Sequence, residues 1–211
     1  MTGRVPRANG VASRRRILDA AAEIAGERGY AGTSIGDVSA RSGLPKSSIY
    51  WHFSDKDALF AAVIQDSYER WVEDFVARTD GRELTPSALL VEVHDSLASF
   101  PAFLRFGHLV ILEQHETELS ARAEFLAIRA RSLQQLAEGF ARATGSDDST
   151  SARLAAIALA LVDGAMLARA ADEHTLDDSQ VLGQAFDGAL AALTVTTASA
   201  SRAGRTRPRA R

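Results

Sequence analysis

Apolar residues recur at helical spacing along most of this chain. Ile17, Ala21, Ile24 and Ala25 form one stripe, which predicts a helix over residues 13–28 with Ser13 as its cap and Gly29-Tyr30 as its stop. Two short helices follow. Ile35 and Val38 share a face of the first, with Thr33 as its N-cap and Asp37 in its first turn. Gly43 closes that helix, and Pro45 suits the first turn of the next, where Ile49 and Phe53 face back. A long helix over 55–78 carries Phe60, Val63, Ile64, Ser67, Trp71 and Phe75 on one broad face and ends at Asp80-Gly81. Further helices are predicted over 86–99, 102–115, 120–144, 150–171 and 176–194. Pro101 separates the first two of these, and Ser149 or Thr150 caps the fourth after a loop at Gly145-Ser146-Asp147-Asp148. No alternating β-branched runs with hairpin turns interrupt the pattern, so the fold class is all-α.

With 46% hydrophobic residues the 211-residue chain has enough apolar surface for a substantial core. It has no cysteine, which removes disulfides and thiolate metal sites and fits a reducing, cytoplasmic setting. The N-terminus lacks an apolar leader, and the most apolar stretch, 154–171, is Ala-rich and interrupted by Asp163 and Arg169. It reads as a buried helix rather than a membrane span. Net charge is −3 but unevenly spread. Residues 1–60 hold 9 Lys+Arg against 6 Asp+Glu, residues 61–199 hold 10 against 21, and residues 200–211 hold 5 Arg and no acid. A basic N-terminal part joined to an acidic body can approach phosphate in one orientation only. The chain divides on this reading into a mobile arm (1–12), a helix-turn-helix (13–54), a helical body (55–195) and an Arg-rich mobile tail (196–211). That tail serves either salt-sensitive DNA affinity or solubility.

The candidate chemistry lies in Thr33–Phe53. Two short helices joined at a glycine are the layout that sets a recognition helix in the DNA major groove. Lys46, Ser47, Ser48 and Tyr50 stay on the outer face, and such donors reach phosphates and base edges. A solvated polar face is the plain alternative. Arg14, Arg15 and Arg16 oppose the dipole of the helix they open, which points either to an external anion or to a solvated charge run.

The stretch from RRRILDAAAEIAGERGYAGTSI through SGLPKSSIYWHF to SDKDAL resembles the N-terminal domain of TetR/AcrR-type transcriptional regulators. The likeness covers roughly residues 13–64. It implies that Lys46, Ser47 and Ser48 face bases and phosphates, that Tyr50, His52 and Lys56 contact phosphate, and that Thr33 starts a helix and touches the DNA backbone. Ser47 stands where the family often has glycine. Trp51 replaces a smaller aromatic and is expected to pack on the connecting helix.

The rest of the chain resembles the family only as an all-helical body of the right length. The resemblance implies a homodimer formed through the last two helices. The apolar positions Leu154, Ile157, Ala158, Leu161, Val162 and Ala165, with Val181, Leu182, Ala185, Phe186, Ala189 and Leu193, suit either that seam or an internal core. Aromatic side chains Trp71, Phe75, Phe100, Phe103, Phe106 and Phe125, with His94, Arg105, His108, His115 and Asp163, are candidates to line a small-molecule pocket, though each alone suits core or surface. His108 and His115 lack the i, i+4 spacing that a helical metal pair needs, and no metal or cofactor is expected. No phosphate loop, nucleophile elbow, thiol or HExxH supports an enzyme. The function expected is a ligand-released repressor on a palindromic operator, with an activator or a regulator governed by a protein partner as the alternative.

Overall fold

The computed structural model describes residues 6–113, 119–171 and 178–205, with side chains over 9–113, 119–171 and 178–193. The described residues form nine helices and no strand: α1 Pro6–Arg28, α2 Ile35–Ser42, α3 Lys46–His52, α4 Lys56–Thr79, α5 Pro86–Ala98, α6 Pro101–Leu112, α7 Ser120–Thr144, α8 Asp148–Ala170 and α9 Ser179–Arg205. They gather into two compact units. One comprises Met1–Arg78 with Ser99–Arg129, the other Thr79–Ala98 with Ala130–Arg211.

The first unit is built on α1. Ile17, Leu18, Ala21, Ile24 and Ala25 are buried along it, a stripe wider than α2 and α3 can cover. Helix α6 covers the remainder, and the two backbones come close at Gly26, where a Cβ would stand 3.1 Å from the Ala102 Cα. Helix α4 is fastened to α1 by a short ion-pair chain. Arg15 meets Asp66 at 2.9 Å, and Arg70 spans Asp66 at 3.1 Å and Asp19 at 3.0 Å. Aromatic rings fill the space between: Tyr30 lies edge-on to Phe60, and Phe60 tilts against Phe106 at 5.3 Å. Phe103 meets Phe125 at 5.9 Å, and that ring lies flat on Gly107, where any Cβ would run into it. The start of α7 is capped from a distance, since the Asp57 carboxylate accepts from the Ser120 and Ala121 N–H groups.

The second unit sets α5 against α8 and α9. Leu90, Val93 and Leu97 pack with Leu154, Ala158, Val162, Leu182 and Phe186, and Phe140 stacks on Phe186 at 5.0 Å. Helix α8 is long and apolar enough to cross a membrane by length and composition, with mean hydropathy 1.6, but its small residues bury against α5 and α9 as a core helix does.

Several sequence expectations need correction. Helix α1 starts at Pro6, seven residues early, because proline is at home in a first turn and Ala8–Ala12 contains no breaker stronger than one glycine. Residues 6–12 are therefore helix rather than arm. Helix α9 likewise runs on to Arg205, through small residues with no proline to stop it, so the tail expected from 196 is in part helical. Asp147, not Ser149 or Thr150, caps α8; its carboxylate accepts from the Thr150 N–H at 2.7 Å, which holds it below the usual carboxylate range. Compactness does not break at 54/55 either, because α4 and α6 complete the core under α1.

Candidate nucleic-acid interface

The recognition element is fixed at both ends of its turn. Ser34 is the N-cap of α2. Its hydroxyl accepts from the Asp37 N–H at 3.1 Å while the Asp37 carboxylate accepts from the Ser34 N–H at 2.9 Å, a reciprocal capping box. The Ser34 hydroxyl also holds the Asp37 carboxyl below its usual range. Gly43 closes α2 at φ 66°, a left-handed conformation that favours glycine. Arg16 donates to the Ser42 carbonyl at 2.6 Å and Ser39 to the Leu44 carbonyl at 2.7 Å, so the turn is tied to α1 and to itself. Replacing Ser34 with Ala should cost about 1 kcal/mol, the usual value of a lost N-cap. A thermal melt will show it as a lowered midpoint, and an unchanged midpoint would mean that α2 is held by packing alone.

Helix α3 presses Ile49 inward, fully buried, and Phe53 closes it with its N–H donating to the Ile49 carbonyl. Its other face is open. Lys46, Ser47 and Tyr50 are exposed and Ser48 is half-buried, and none of their side-chain polar atoms has a partner among the described residues. By contrast Arg14, Arg15 and Arg16 of α1 are engaged. Arg15 and Arg16 bind within the unit as above, and the Arg14 guanidinium lies 5.5 Å from the Phe53 ring centroid. The run expected at a helix start lies two turns inside α1, so it has no dipole to oppose, and its partners are internal.

Three other expected contacts are placed differently. Thr33 is only 2% exposed and donates to the Gly29 carbonyl at 2.8 Å, so it neither caps α2 nor faces outward. Lys56 sets its ammonium 4.1 Å over the Tyr30 ring, a cation–π contact, and burial lowers its pKa against the pull of nearby Glu113. His52 is half-buried, with Nε2 2.9 Å from the Ser13 hydroxyl, and burial followed by the Arg14 charge lowers its pKa. Trp51 does not pack on the connecting helix: it is 75% exposed, with its ring edge-on to His52 and its far edge beside Gly10. Ser13, Ser47, Ser48, Trp51 and His52 line an open recess of about 280 Å³ between α1 and α3. Ser13 and Trp51 are the members that the sequence reading missed. Ser13 sits where a helix cap was expected, but its hydroxyl donates back to the Gly10 carbonyl from inside α1.

The candidate pocket residues fall in both units. Trp71 and Phe75 are half-buried with their rings in tilted contact, whereas Phe103 and Phe125 are buried in ring contact with each other and Phe106 is buried against Phe60, all within the first unit. His94 and Asp163 belong to the second unit, where buried His94 places Nδ1 3.0 Å from Asp95. His115 lies outside the described residues.

Fold and site together define a helix-turn-helix protein with a helical body. Residues 17–63 match the family model described as bacterial regulatory proteins, tetR family. The transcriptional regulator AcrR of Shigella flexneri is 37% identical over 51 residues, 24% of each chain. The transcriptional repressor DhaR of a Mycobacterium species is 33% identical over 55 residues, 26% of this chain and 28% of the relative. The chain thus matches only about a quarter of the length of either relative. A TetR transcriptional regulator from Legionella pneumophila superposes with a TM-score of 0.71 at 20% identity, covering 82% of this chain and 94% of that one. The tetR-family likeness in sequence thus lies in residues 17–63, and the likeness to the solved regulator is one of fold.

Proposed function

We propose that this chain is a repressor that binds a palindromic operator as a homodimer and is released by a small molecule. The observation that carries the DNA-binding part is the contrast on the first unit: Arg14, Arg15 and Arg16 of α1 are engaged, while the polar groups of Lys46, Ser47, Ser48 and Tyr50 stand without partners among the described residues on a helix pinned by Ile49 and Gly43. Donors held in place and unspent are what base edges and phosphates require. Tyr50 and the Ser47 and Ser48 hydroxyls are assigned to this contact; Thr33 is not.

The dimer seam is assigned to α8 and α9. Leu154, Ala158, Val162, Ala165, Leu182 and Phe186 are already buried within the protomer, so the seam falls to Ile157, Leu161, Val181, Ala185 and Ala189, which are only partly covered or exposed. A two-fold pair would set its recognition helices in successive major grooves, roughly 34–36 Å apart. Release follows if an effector favours the form with the wrong spacing, and a tenfold loss of affinity needs about 1.4 kcal/mol of such preference. Within the first unit, α6 lies directly on α1, so any displacement of α6 reaches the helix-turn-helix without a further relay. The repressor assignment follows DhaR, whose name says that it is one.

Selection of the purified protein on random duplex DNA at near-physiological salt tests this reading. An enriched two-fold palindrome is the expected result. Salt-sensitive retention without enrichment would overturn sequence-specific repression.

A further inference from the structure

The recess between α1 and α3 has a composition suited to one kind of guest. Its lining is three hydroxyls, an imidazole and an indole, with no carboxylate among them. The Ser47 and Ser48 hydroxyls have no partner among the described residues. The Ser13 hydroxyl is oriented from behind: it donates to the Gly10 carbonyl at 3.0 Å, so toward His52 it is an acceptor, and the 2.9 Å contact is Nε2–H donating to Ser13. Trp51 walls the recess with an indole exposed over three quarters of its surface, large apolar area that a deoxyribose edge would cover. The far edge of the Trp51 ring lies beside Gly10 of α1, 3.8 Å from where a Cβ would stand.

We propose that this recess seats one phosphate of the operator backbone, that Ser13 is a DNA-binding residue lying outside the recognition helix, and that His52 takes up a proton from solvent as the phosphate enters. The inference rests on the DNA-binding reading above. It adds α1 to the contact surface and makes binding proton-linked.

The chemistry follows from the surroundings of His52. Two influences disfavour the charged ring in the free protein and lower its pKa: partial burial, and the positive charge of Arg14 on α1. The neighbours on α3, Ser47, Ser48 and Trp51, carry no charge, and Phe53 beyond them is apolar. A phosphate brought against the ring supplies the negative charge that the free site lacks. Nε2–H is already committed to Ser13, so the incoming proton lands on Nδ1. Each protomer then binds one proton more in the complex than when free. By linkage, DNA affinity rises as pH falls through the range between the free and the bound pKa of His52. The rise levels off once the free ring is itself protonated, below its ordinary value of about 6.5.

The test uses the full-length protein and a duplex enriched by the selection, at constant ionic strength. Wild-type affinity should increase about tenfold from pH 7.5 to pH 6, His52→Gln should abolish most of that increase, and Ser13→Ala should weaken binding severalfold at every pH. The His52 Hε1 resonance, followed by NMR in the unsubstituted protein, should titrate at higher pH when DNA is bound, which keeps the test independent of any effect of substitution on folding. Binding that is independent of pH, a pH dependence retained in His52→Gln, or a resonance unmoved by DNA would overturn the proposal and leave DNA binding standing. Failure of the unsubstituted protein to bind any duplex would instead overturn the DNA-binding reading and the proposal with it.

Discussion

Replacing Phe106 with Ala should destabilise the protein by about 3–5 kcal/mol, the usual cost of emptying a large aromatic site. Phe106 is 1% exposed on α6, and its ring tilts against Phe60, which in turn meets Tyr30 edge-on at 5.5 Å. Removal leaves a cavity between helices that are also pinned elsewhere. Gly26 and Ala102 are already in close approach, and the Arg15–Asp66–Arg70–Asp19 chain holds α4 on α1, so the walls have little freedom to collapse. The loss of the ring pair adds about 0.5–1.5 kcal/mol to the transfer cost. Against a typical stability of about 5–15 kcal/mol this is a large fraction, and the substitution should lower the denaturation midpoint by many degrees. Urea unfolding monitored by circular dichroism measures it. A loss under about 1 kcal/mol would show that α6 relaxes into the gap and that the aromatic column is not the main brace of the first unit.

Lys46→Glu should produce the largest effect on function while leaving the fold intact. The Lys46 side chain lies over Gly36, with Cε and Nζ each 3.6 Å from where a Cβ would stand, and it has no ion pair among the described residues. Substitution therefore breaks no internal bond. It removes one cation from the phosphate surface and sets an anion in its place. We expect at least a tenfold loss for each half-site, hence about a hundredfold for a dimer, with the loss shrinking as salt is raised. The slope of log affinity against log salt should fall by about 1 for each protomer. Fluorescence anisotropy on a selected duplex across a salt series gives both numbers. An unchanged slope would remove Lys46 from the phosphate contacts, and a loss confined to one base position would make it a base reader instead.

Most of the fold was legible in the sequence because its helices announce themselves locally. Gly43, Gly81 and Gly145 each take a positive φ where a stop was read, and Pro101 opens α6 where a break was expected. The helix over 120–144 has the bounds that its pattern predicts. What was not legible depends on partners distant in sequence. Thr33 is the cap that the sequence suggests, yet its hydroxyl turns back to the Gly29 carbonyl and Ser34 caps α2 instead. Three adjacent arginines look like one feature, yet helical rotation sends them to Phe53, Asp66 and Ser42. Trp51 looks like a core residue by chemistry, and its exposure follows from Ile49 and Phe53 having already claimed the inward face. The aromatic residues assigned to a pocket share a composition that fits a lined cavity and a packed core equally well; of them, Phe125 is packed closely on Gly107 and Phe103.

The packing of α6 on α1, and the Asp57 carboxylate at the first turn of α7, bear on how such proteins can be recombined. A helix-turn-helix cut after residue 54 would carry away only part of the surface that buries Ile17, Ala21 and Ile24, and would strand the start of α7 without its cap. On the DNA-binding reading, the unit that carries specificity in this chain is not a contiguous cassette. A working graft onto another body has to bring residues 99–129 along with the first 78, so exchange of operator specificity between relatives is easier by substitution along α3 than by crossover behind it.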